Sequence, residues 1–366
     1  MTGLCLCMIV KDEAAVIDRC LRSVRDLIDY WVICDTGSTD GTQDRIRAAL
    51  EDVPGELHER PWVDFGHNRT EALSLARGKA DYLLLLDADW TFEAEPGAID
   101  GLTEDVYLVR HVHRPSGDFE LYNRHLVRGD IDWRYVGATH EYIQADRETS
   151  EARLDAARIV NWADGGVGRE RRWRQDVELL EKDLLRDPGN LRSLFYMAQT
   201  YRDLGATARA IELYERRAAA GGWEEEVYYS LYQAGVLRTP DDWPSAAVAL
   251  MRAWEQRPRR AEALQHLVQG LRERDMHQAA YPLARRGVEI EQPDDILFVE
   301  PWVYRWGLLF ELSISAYWAG NPAAALAACD RLLRIPELPE SHREQTVKNR
   351  EFCVTALRAP SATTAR

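Results

Sequence analysis

Short apolar runs alternate with amphipathic segments along the first half of the chain. Uninterrupted apolar runs, typical of strands buried on both faces, occur at Leu4–Val10 and at residues 30–34 and 82–86. The segment at residues 13–27 carries apolar residues on one helical face. Further elements are expected as helices at residues 42–50 and 68–76 and a short strand at residues 57–60. Strands that alternate with helices predict a parallel sheet covered on both faces, in a Rossmann-like α/β domain.

The next stretch of the chain is expected to extend this domain. The sequence predicts one helix at residues 94–102. Residues 106–112 and 120–126 follow, where apolar and polar residues alternate as in β strands. Strand patterns end before Arg169, where an Arg-rich helix begins. We therefore assign residues 1–168 to the α/β domain.

The second half of the chain has helical patterns only. Small apolar residues recur at similar positions of successive segments, at Ala210, Ala246, Ala280 and Ala325. Spacings of about 34 residues are typical of tetratricopeptide repeats, and an insertion at residues 292–302 lengthens the last spacing. Helix pairs of this kind bury their faces by stacking, so residues 169–358 are predicted to form an α-solenoid with a concave face. Residues 359–366 are expected to be a disordered tail.

Composition and charge narrow the classes of function. The net charge of -15 argues against a general nucleic-acid or anionic-membrane surface, and no nucleic-acid partner is expected. The six cysteines include no CxxC pair, so they are expected to be reduced core residues of a cytoplasmic protein. No apolar run approaches the roughly 20 residues of a membrane span, and none is expected.

The candidate chemistry lies at the end of the strand at residues 82–86. This strand is followed by Asp87, Ala88 and Asp89, two carboxylates separated by one small residue. Acidic groups at the carboxyl end of such a strand face the crevice where open α/β sheets bind ligands. Carboxylate oxygens there can hold a divalent cation, which in turn can hold a diphosphate. The alternative is a pair of solvated aspartates that open a turn.

Four motifs in order resemble glycosyltransferase family two, the inverting nucleotide-sugar enzymes with the GT-A fold. They are MIVKDE at residues 8–13, DTGSTDGT at residues 35–42, DFGHNRTEAL at residues 64–73 and LLLLDAD at residues 83–89. The resemblance covers roughly the first 165 residues. It implies a GT-A catalytic domain fused to tetratricopeptide-like repeats.

The resemblance also implies roles for individual residues around a nucleotide-diphosphate sugar. Lys11, Glu13 and Asp35 would line the nucleoside pocket, and Arg69 would neutralise a phosphate or brace the nucleoside. The segment Asp87, Ala88 and Asp89 would serve the ribose and the metal ion, Mn²⁺ or Mg²⁺. Two alternatives remain open: Asp35 could cap its own loop, and Arg69 could be a solvated helix residue.

A later motif supplies further candidates. GATHEY at residues 137–142 resembles a GxxHEY motif of short family members fused to helical repeats. Chemically, His140 is a candidate metal ligand, and Glu141 is a candidate general base for an acceptor hydroxyl or thiol. Asp164 is the rival base. Alternatively, the histidine and glutamate pair with each other at a strand edge.

The sequence therefore predicts a metal-dependent, inverting glycosyltransferase of the hexosyltransferase type. The donor is expected to be a UDP- or GDP-sugar, and the acceptor a peptide, a protein or a saccharide. The family includes S-glycosyltransferases of glycosylated bacteriocins and enzymes of surface saccharides. The repeats would position the acceptor or a partner, with a homodimer as a further expectation. The alternative is a catalytically inactive, nucleotide-binding scaffold that uses the repeats for protein interaction.

Overall fold

The chain forms two compact units. A computed structural model describes residues 3–113, 120–162 and 169–358. The first unit comprises Met1–Pro188 and the second Gly189–Arg366. The division lies after the Arg-rich helix Arg169–Arg186, which the sequence analysis grouped with the repeats. This helix packs with the sheet-bearing unit, in part because Thr139 donates a hydrogen bond to Asp176 on it.

The first unit contains a mixed eight-stranded sheet and a separate two-stranded hairpin. The strands are β1 (Leu4–Val10), β2 (Tyr30–Asp35), β3 (Gly55–Glu59), β4 (Tyr82–Leu85), β5 (Trp90–Ala94), β6 (Val106–His113), β7 (Glu120–Arg128), β8 (Trp133–Val136), β9 (Tyr142–Ala145) and β10 (Glu151–Asn161). The order in the large sheet is β3-β2-β1-β4-β7-β6-β10-β5, and β8 pairs with β9. Strands β3, β2, β1 and β4 run parallel, as the sequence predicted.

Helices cover both faces of the parallel part. They are α1 (Ile17–Val24), α2 (Thr42–Ala49) and α3 (Phe65–Ala76). Ile17 of α1 and Ile46 of α2 are fully buried in the core on one face. Ala76 of α3 is fully buried on the other, against the alternate residues of the same strands. Because β1 has core residues on both faces, its run is apolar without interruption.

The helix expected at residues 94–102 is absent, and this prediction was wrong. The chain instead forms β5 and then turns. Strand β5 pairs antiparallel with β10, where Ile159 faces Phe92, and both side chains are buried. Neither strand was predicted, because their pairing joins segments far apart in sequence and tertiary packing overrides local propensity.

The described part of the second unit, residues 189–358, is helical and has no strand. After α4 (Arg169–Arg186) of the first unit, the helices are α5 (Leu191–Asp203), α6 (Thr207–Ala219), α7 (Glu224–Arg238), α8 (Trp243–Gln256), α9 (Glu262–Arg272), α10 (His277–Gly287), α11 (Leu308–Trp318), α12 (Pro322–Leu332) and α13 (Glu340–Arg358). A π-helical turn at Val303–Gly307 leads into α11.

Consecutive helices pack as pairs, and the first helices of neighbouring pairs also touch, for example α7 with α9 and α9 with α11. The four repeat alanines of the sequence pattern are all fully buried, namely Ala210, Ala246, Ala280 and Ala325. The predicted stack of helix pairs is thereby confirmed. No described helix combines the length and apolarity needed to cross a bilayer.

The insertion at residues 292–302, called the strap below, lies on α7 and α9. Glu225 at the start of α7 accepts hydrogen bonds from the successive backbone amides of Ile296 and Leu297, at 3.0 and 2.8 Å. Arg260 donates to the backbone carbonyls of Leu297 and Phe298, at 3.0 and 3.1 Å. The strap is therefore held by its main chain.

Side chains of the strap also bond to the neighbouring helices and loops. Asp295 accepts a hydrogen bond from Arg257, 2.8 Å away, and lies 3.4 Å from Arg260. Glu300 accepts a hydrogen bond from the hydroxyl of Tyr232, at 2.8 Å. Tyr232 is accordingly buried.

Candidate functional site

A cavity of about 670 Å³ lies at the carboxyl ends of β1 and β4 in the first unit. Its wall includes Lys11 and Glu13 after β1, and Ala88 and Asp89 after β4. Carboxyl ends of parallel strands meet at one edge of a sheet, which explains why motifs distant in sequence converge here. Arg69 and Asp87 also line it, so six of the seven predicted donor-binding residues share one cavity, and only Asp35 is not part of its wall.

The loops after β1 and β2 brace each other at the rim of this cavity. The carboxylate of Asp12 accepts a hydrogen bond from the amide of Thr39, and the amide of Asp12 donates to Ser38 Oγ. The amide of Glu13 donates to the hydroxyl of Thr42, at 2.8 Å. The conformation of the loop after β1, and with it the position of Lys11, therefore depends on the DTGSTDGT motif.

Asp35 is fully buried at the end of β2. Its Oδ1 accepts hydrogen bonds from the amides of Gly37 and Ser38, both at 2.8 Å, so it caps its loop. Its Oδ2 is buried and has no hydrogen-bond partner. A buried acceptor without a donor is unfavourable, but the cavity wall does not include Asp35, so a ligand would have to reach beyond that wall to supply the donor. One carboxylate can therefore cap the loop and still retain a free acceptor.

Arg69 on α3 joins two carboxylates from different parts of the chain. Its Nη2 donates to Asp87 Oδ1 at 2.6 Å, and its Nε lies 2.7 Å from Glu141 Oε1. All three side chains are mostly buried, with exposures of 16%, 23% and 12%. Burial opposes the charge of Arg69, but the two carboxylates outweigh it and raise the pKa of the guanidinium. Arg69 is therefore a charge-paired residue of the site and not a solvated helix residue.

The DAD segment forms a tight turn beside this pair. The amide of Trp90 donates to the carbonyl of Asp87 at 3.0 Å, and the amide of Trp162 to the carbonyl of Asp89 at 3.3 Å. The cavity wall includes both Asp87 and Asp89. Within the described residues, no group of three histidine, cysteine or acidic side chains is arranged to hold a metal ion. Two carboxylates are nevertheless a suitable protein share of a Mg²⁺ or Mn²⁺ site, because water and substrate phosphates complete such sites.

Residues 137–142, called the HEY segment below, pack on the first turn of α3. The amide of Phe65 donates to the carbonyl of Ala138 at 3.1 Å. A Cβ atom at Gly66 would lie 2.2 Å from the carbonyl oxygen of Gly137, so only glycine permits this approach. His140 is exposed, with a φ of 50°, and the cavity wall described here does not include it.

The amino-terminal part of α4 forms another wall of the cavity. Arg172, Arg174, Gln175 and Glu178 line it, together with the aromatic rings of Trp62 and Phe65. The sequence analysis missed this contribution because it assigned the Arg-rich helix to the repeats. The available signal was the concentration of arginines directly after the strand patterns end.

A buried hydrogen bond connects α4 to the HEY segment. The hydroxyl of Thr139 donates to Asp176 Oδ1 at 2.8 Å, and both residues are buried. Desolvation raises the pKa of Asp176, and the hydrogen bond from Thr139 partly offsets it.

The structure describes one of the two candidate bases, Glu141, but not the other, Asp164. Glu141 is engaged by Arg69 and is absent from the cavity wall as described. Asp164 lies outside the described residues. The roles of both residues stay predictions.

The family comparison agrees with this geometry. The model called Glycosyl transferase family 2 matches residues 5–150. This range holds strands β1 to β9 apart from Leu4, the first residue of β1, and it holds the DAD turn, Arg69 and the HEY segment, whereas β10 lies beyond it. Residues 5–150 are thus a glycosyl transferase family 2 domain, as the four motifs predicted. Helix α4 lies beyond the matched range.

Individual relatives match parts of the chain. The SPbeta prophage-derived glycosyltransferase SunS of Bacillus subtilis is 24% identical over 56% of this chain and 50% of its own length. An uncharacterized glycosyltransferase of Rickettsia felis is 33% identical over 22% of this chain and 27% of its own. A TPR repeat-containing protein of Synechococcus elongatus is 41% identical over 24% of this chain and 21% of its own. The chain thus spans half or less of the length of these curated relatives.

Among solved structures, that of the TPR protein YrrB resembles the chain with a TM-score of 0.37 at 16% identity. The match covers 48% of this chain and 84% of YrrB.

Proposed function

We propose that the chain is a metal-dependent glycosyltransferase that moves a sugar from a nucleotide-diphosphate donor to an acceptor with inversion. The observation that carries this proposal is the charged edge of the cavity, where Arg69 contacts Asp87 beside Asp89 in the family 2 domain. A domain that had lost its chemistry would not be expected to retain this costly set of buried charges. The inactive scaffold is therefore the less favoured function.

Donor binding would use the ends of β1, β2 and β4. Lys11 would attract the negative charge of the donor, and Glu13 would face its nucleoside, since both line the cavity. The partnerless Oδ2 of Asp35 would accept a hydrogen bond from the base. The donor would be a UDP- or GDP-sugar.

The carboxylates of Asp87 and Asp89 would hold the metal ion. When bound, Mg²⁺ or Mn²⁺ offsets negative charge on the diphosphate. Arg69 would keep Asp87 in place through its 2.6 Å contact. His140 remains a candidate for a further ligand if the HEY segment moves when the donor binds, because it is outside the cavity wall described here.

The acceptor would lose its proton to a carboxylate of the domain, Glu141 or Asp164. Direct displacement needs this base on the face of the sugar opposite the departing diphosphate. Glu141 could act only after leaving Arg69, whose guanidinium lies 2.7 Å from its carboxylate. A donor phosphate that engaged Arg69 would provide that release.

The helical unit would bind and position the acceptor. Stacked helix pairs present an extended surface suited to a polypeptide, so a peptide or protein acceptor is favoured and a saccharide is the alternative. A homodimer formed through the repeats would use the same surface.

The test is nucleotide release by the purified full-length chain. A panel of UDP- and GDP-sugars is incubated with Mn²⁺, with Mg²⁺ or with EDTA, and free nucleotide is measured. The expected result is release from at least one donor, dependent on the metal and on Asp89. If no donor is hydrolysed while a nucleotide diphosphate still raises the melting temperature, the binding scaffold replaces the enzyme. If there is neither hydrolysis nor a thermal shift, nucleotide binding itself is excluded for this panel.

A further inference from the structure

The HEY segment has a backbone that requires external support. Gly137 has a φ of 109°, which glycine adopts without strain, whereas His140 has a φ of 50°, in the left-handed region that residues with a side chain adopt only rarely. Residues in sparsely populated conformations persist where the surrounding structure holds them. The conformation of this segment therefore depends on the contacts that other elements make with it.

Two elements supply these contacts. Helix α3 provides the Phe65 amide, which donates to Ala138, and the Arg69 guanidinium, which holds Glu141. Helix α4 provides Asp176, which accepts the hydroxyl hydrogen of Thr139. Thr139 lies between the two residues that α3 holds, so the hydrogen bond to α4 falls in the middle of the segment.

The contact is buried although a carboxylate is expensive to bury. Thr139 is 7% and Asp176 6% exposed. A buried aspartate needs partners for its oxygens, and the Thr139 hydroxyl is one. Asp176 also lies beyond residue 150, where the family match ends. The contact thus joins the matched domain to a residue outside the matched range.

We propose that Asp176 is a positioning residue for the transfer reaction: through Thr139 it fixes the HEY segment, and thereby holds Glu141 beside Arg69, and Arg69 against Asp87, until a donor phosphate engages Arg69. This inference rests on the proposed glycosyltransferase function. It gives Asp176 of α4 an indirect role in the transfer reaction. Asp176 itself contacts no substrate in this scheme, because it acts through the segment.

Matched variants distinguish the effect of the hydrogen bond between Thr139 and Asp176 from the effect of side-chain packing. Thr139→Val replaces the hydroxyl by a methyl group, and Asp176→Ala removes the acceptor. Thr139→Ser keeps the hydroxyl and Asp176→Asn keeps an acceptor oxygen, so these two variants should preserve the bond. Lys182→Ala, an exposed position on the same helix, is the control.

The expected result is a loss of turnover with little loss of nucleotide binding. In the full-length protein, Thr139→Val and Asp176→Ala should lower kcat for donor turnover about 10-fold to 100-fold, as loss of outer partners of ligating groups commonly does. The Kd of the nucleotide diphosphate should change less than about threefold, a difference of under 1 kcal/mol. Thr139→Ser, Asp176→Asn and Lys182→Ala should retain near-normal turnover. The double variant should be no worse than the worse single variant, because both changes break one interaction.

Amide hydrogen exchange gives a readout that does not depend on activity. Thr139→Val should accelerate exchange in residues 137–142, whereas Thr139→Ser should not. If wild type turns over no donor, the proposed function fails, and exchange still decides whether the hydrogen bond fixes the segment. If Thr139→Val does not fold, Asp176→Ala is compared with Asp176→Asn instead. Normal turnover and exchange in folded Thr139→Val, or equal impairment in Thr139→Ser, would overturn the positioning role.

Discussion

The guanidinium of Arg69 lies 2.6 Å from the carboxylate of Asp87. This contact joins the family motif on α3 to the DAD turn after β4. Since Arg69 also holds Glu141, the positions of a candidate metal ligand and of a candidate base depend on one cation. Three segments that are far apart in sequence thereby form one charged unit.

Removal of this cation is expected to destabilise the fold. In Arg69→Met, two mostly buried carboxylates lose their partner, and breaking a buried ion pair costs about 3 to 5 kcal/mol. Urea unfolding measures the change. Arg77→Ala is the control, because Arg77 pairs with Asp132 at the surface, where exposed pairs contribute about 1 kcal/mol or less. Equal losses in the two variants would contradict the role of Arg69.

The metal assignment predicts a specific defect for Asp89→Asn. This substitution removes a charge but nearly keeps the size, so the melting temperature should change little. Binding of a nucleotide diphosphate should lose its dependence on Mn²⁺ or Mg²⁺, and turnover should fall about 100-fold or more, as for loss of one charged transition-state contact. Calorimetry with and without EDTA measures the first effect.

Asp81→Asn is the control for this experiment. Asp81 precedes β4 and accepts a hydrogen bond from the amide of Gly3, which an asparagine oxygen also accepts. It should stay active and metal-dependent. If Asp89→Asn kept metal-stimulated turnover near the normal rate, the metal assignment would be wrong. The DAD segment would then be an ordinary solvated turn.

The division of the chain predicts different outcomes for two truncations. Residues 1–188 include α4 with its buried bond between Asp176 and Thr139, so this fragment should fold and bind the nucleotide. Residues 1–168 lack α4 and should expose the apolar surface that α4 covers, including that against Leu180. Circular dichroism and nucleotide titration compare the two. A fragment 1–168 as stable as fragment 1–188 would place α4 outside the catalytic unit.

The longer fragment also tests the role of the repeats. It should retain donor hydrolysis but lose transfer to the true acceptor, because the acceptor surface would lie on the helical unit. Mass spectrometry of the acceptor detects transfer. Full transfer by residues 1–188 would leave the repeats with a role in assembly only.

The strap predicts unequal effects for two adjacent residues. Asp295→Ala leaves the buried guanidiniums of Arg257 and Arg260 without this carboxylate, at a cost of about 3 to 5 kcal/mol. The side chain of Ile296 is 82% exposed, so Ile296→Ala should change the free energy of unfolding by about 0.5 kcal/mol or less. Chemical denaturation monitored at the helices distinguishes them. Similar effects would mean that the strap rests on its main chain alone.

Local patterns in the sequence were sufficient for part of this architecture. β1, β2 and β4 are continuous apolar runs, and the DAD segment follows the last of them, so the position of the site at their carboxyl ends could be predicted. The buried repeat alanines could be predicted for the same reason, because their spacing is regular.

Long-range contacts account for what was missed. The pairing of β5 with β10 and the hydrogen bond from Thr139 to Asp176 join residues whose proximity no local pattern encodes. The engagement of Glu141 by Arg69 is of the same kind, since the motif that contains Glu141 says nothing about its partner.

The strap also limits how the helical unit can change in length. Ordinary repeat arrays grow and shrink by whole units, because each unit contacts only its neighbours. Here a segment that precedes the fourth helix pair bonds to Glu225 in the second pair and to Glu262 in the third. Duplication or deletion of one of these pairs would separate the strap from its partners. This part of the array is therefore expected to be inherited as a single block of fixed size.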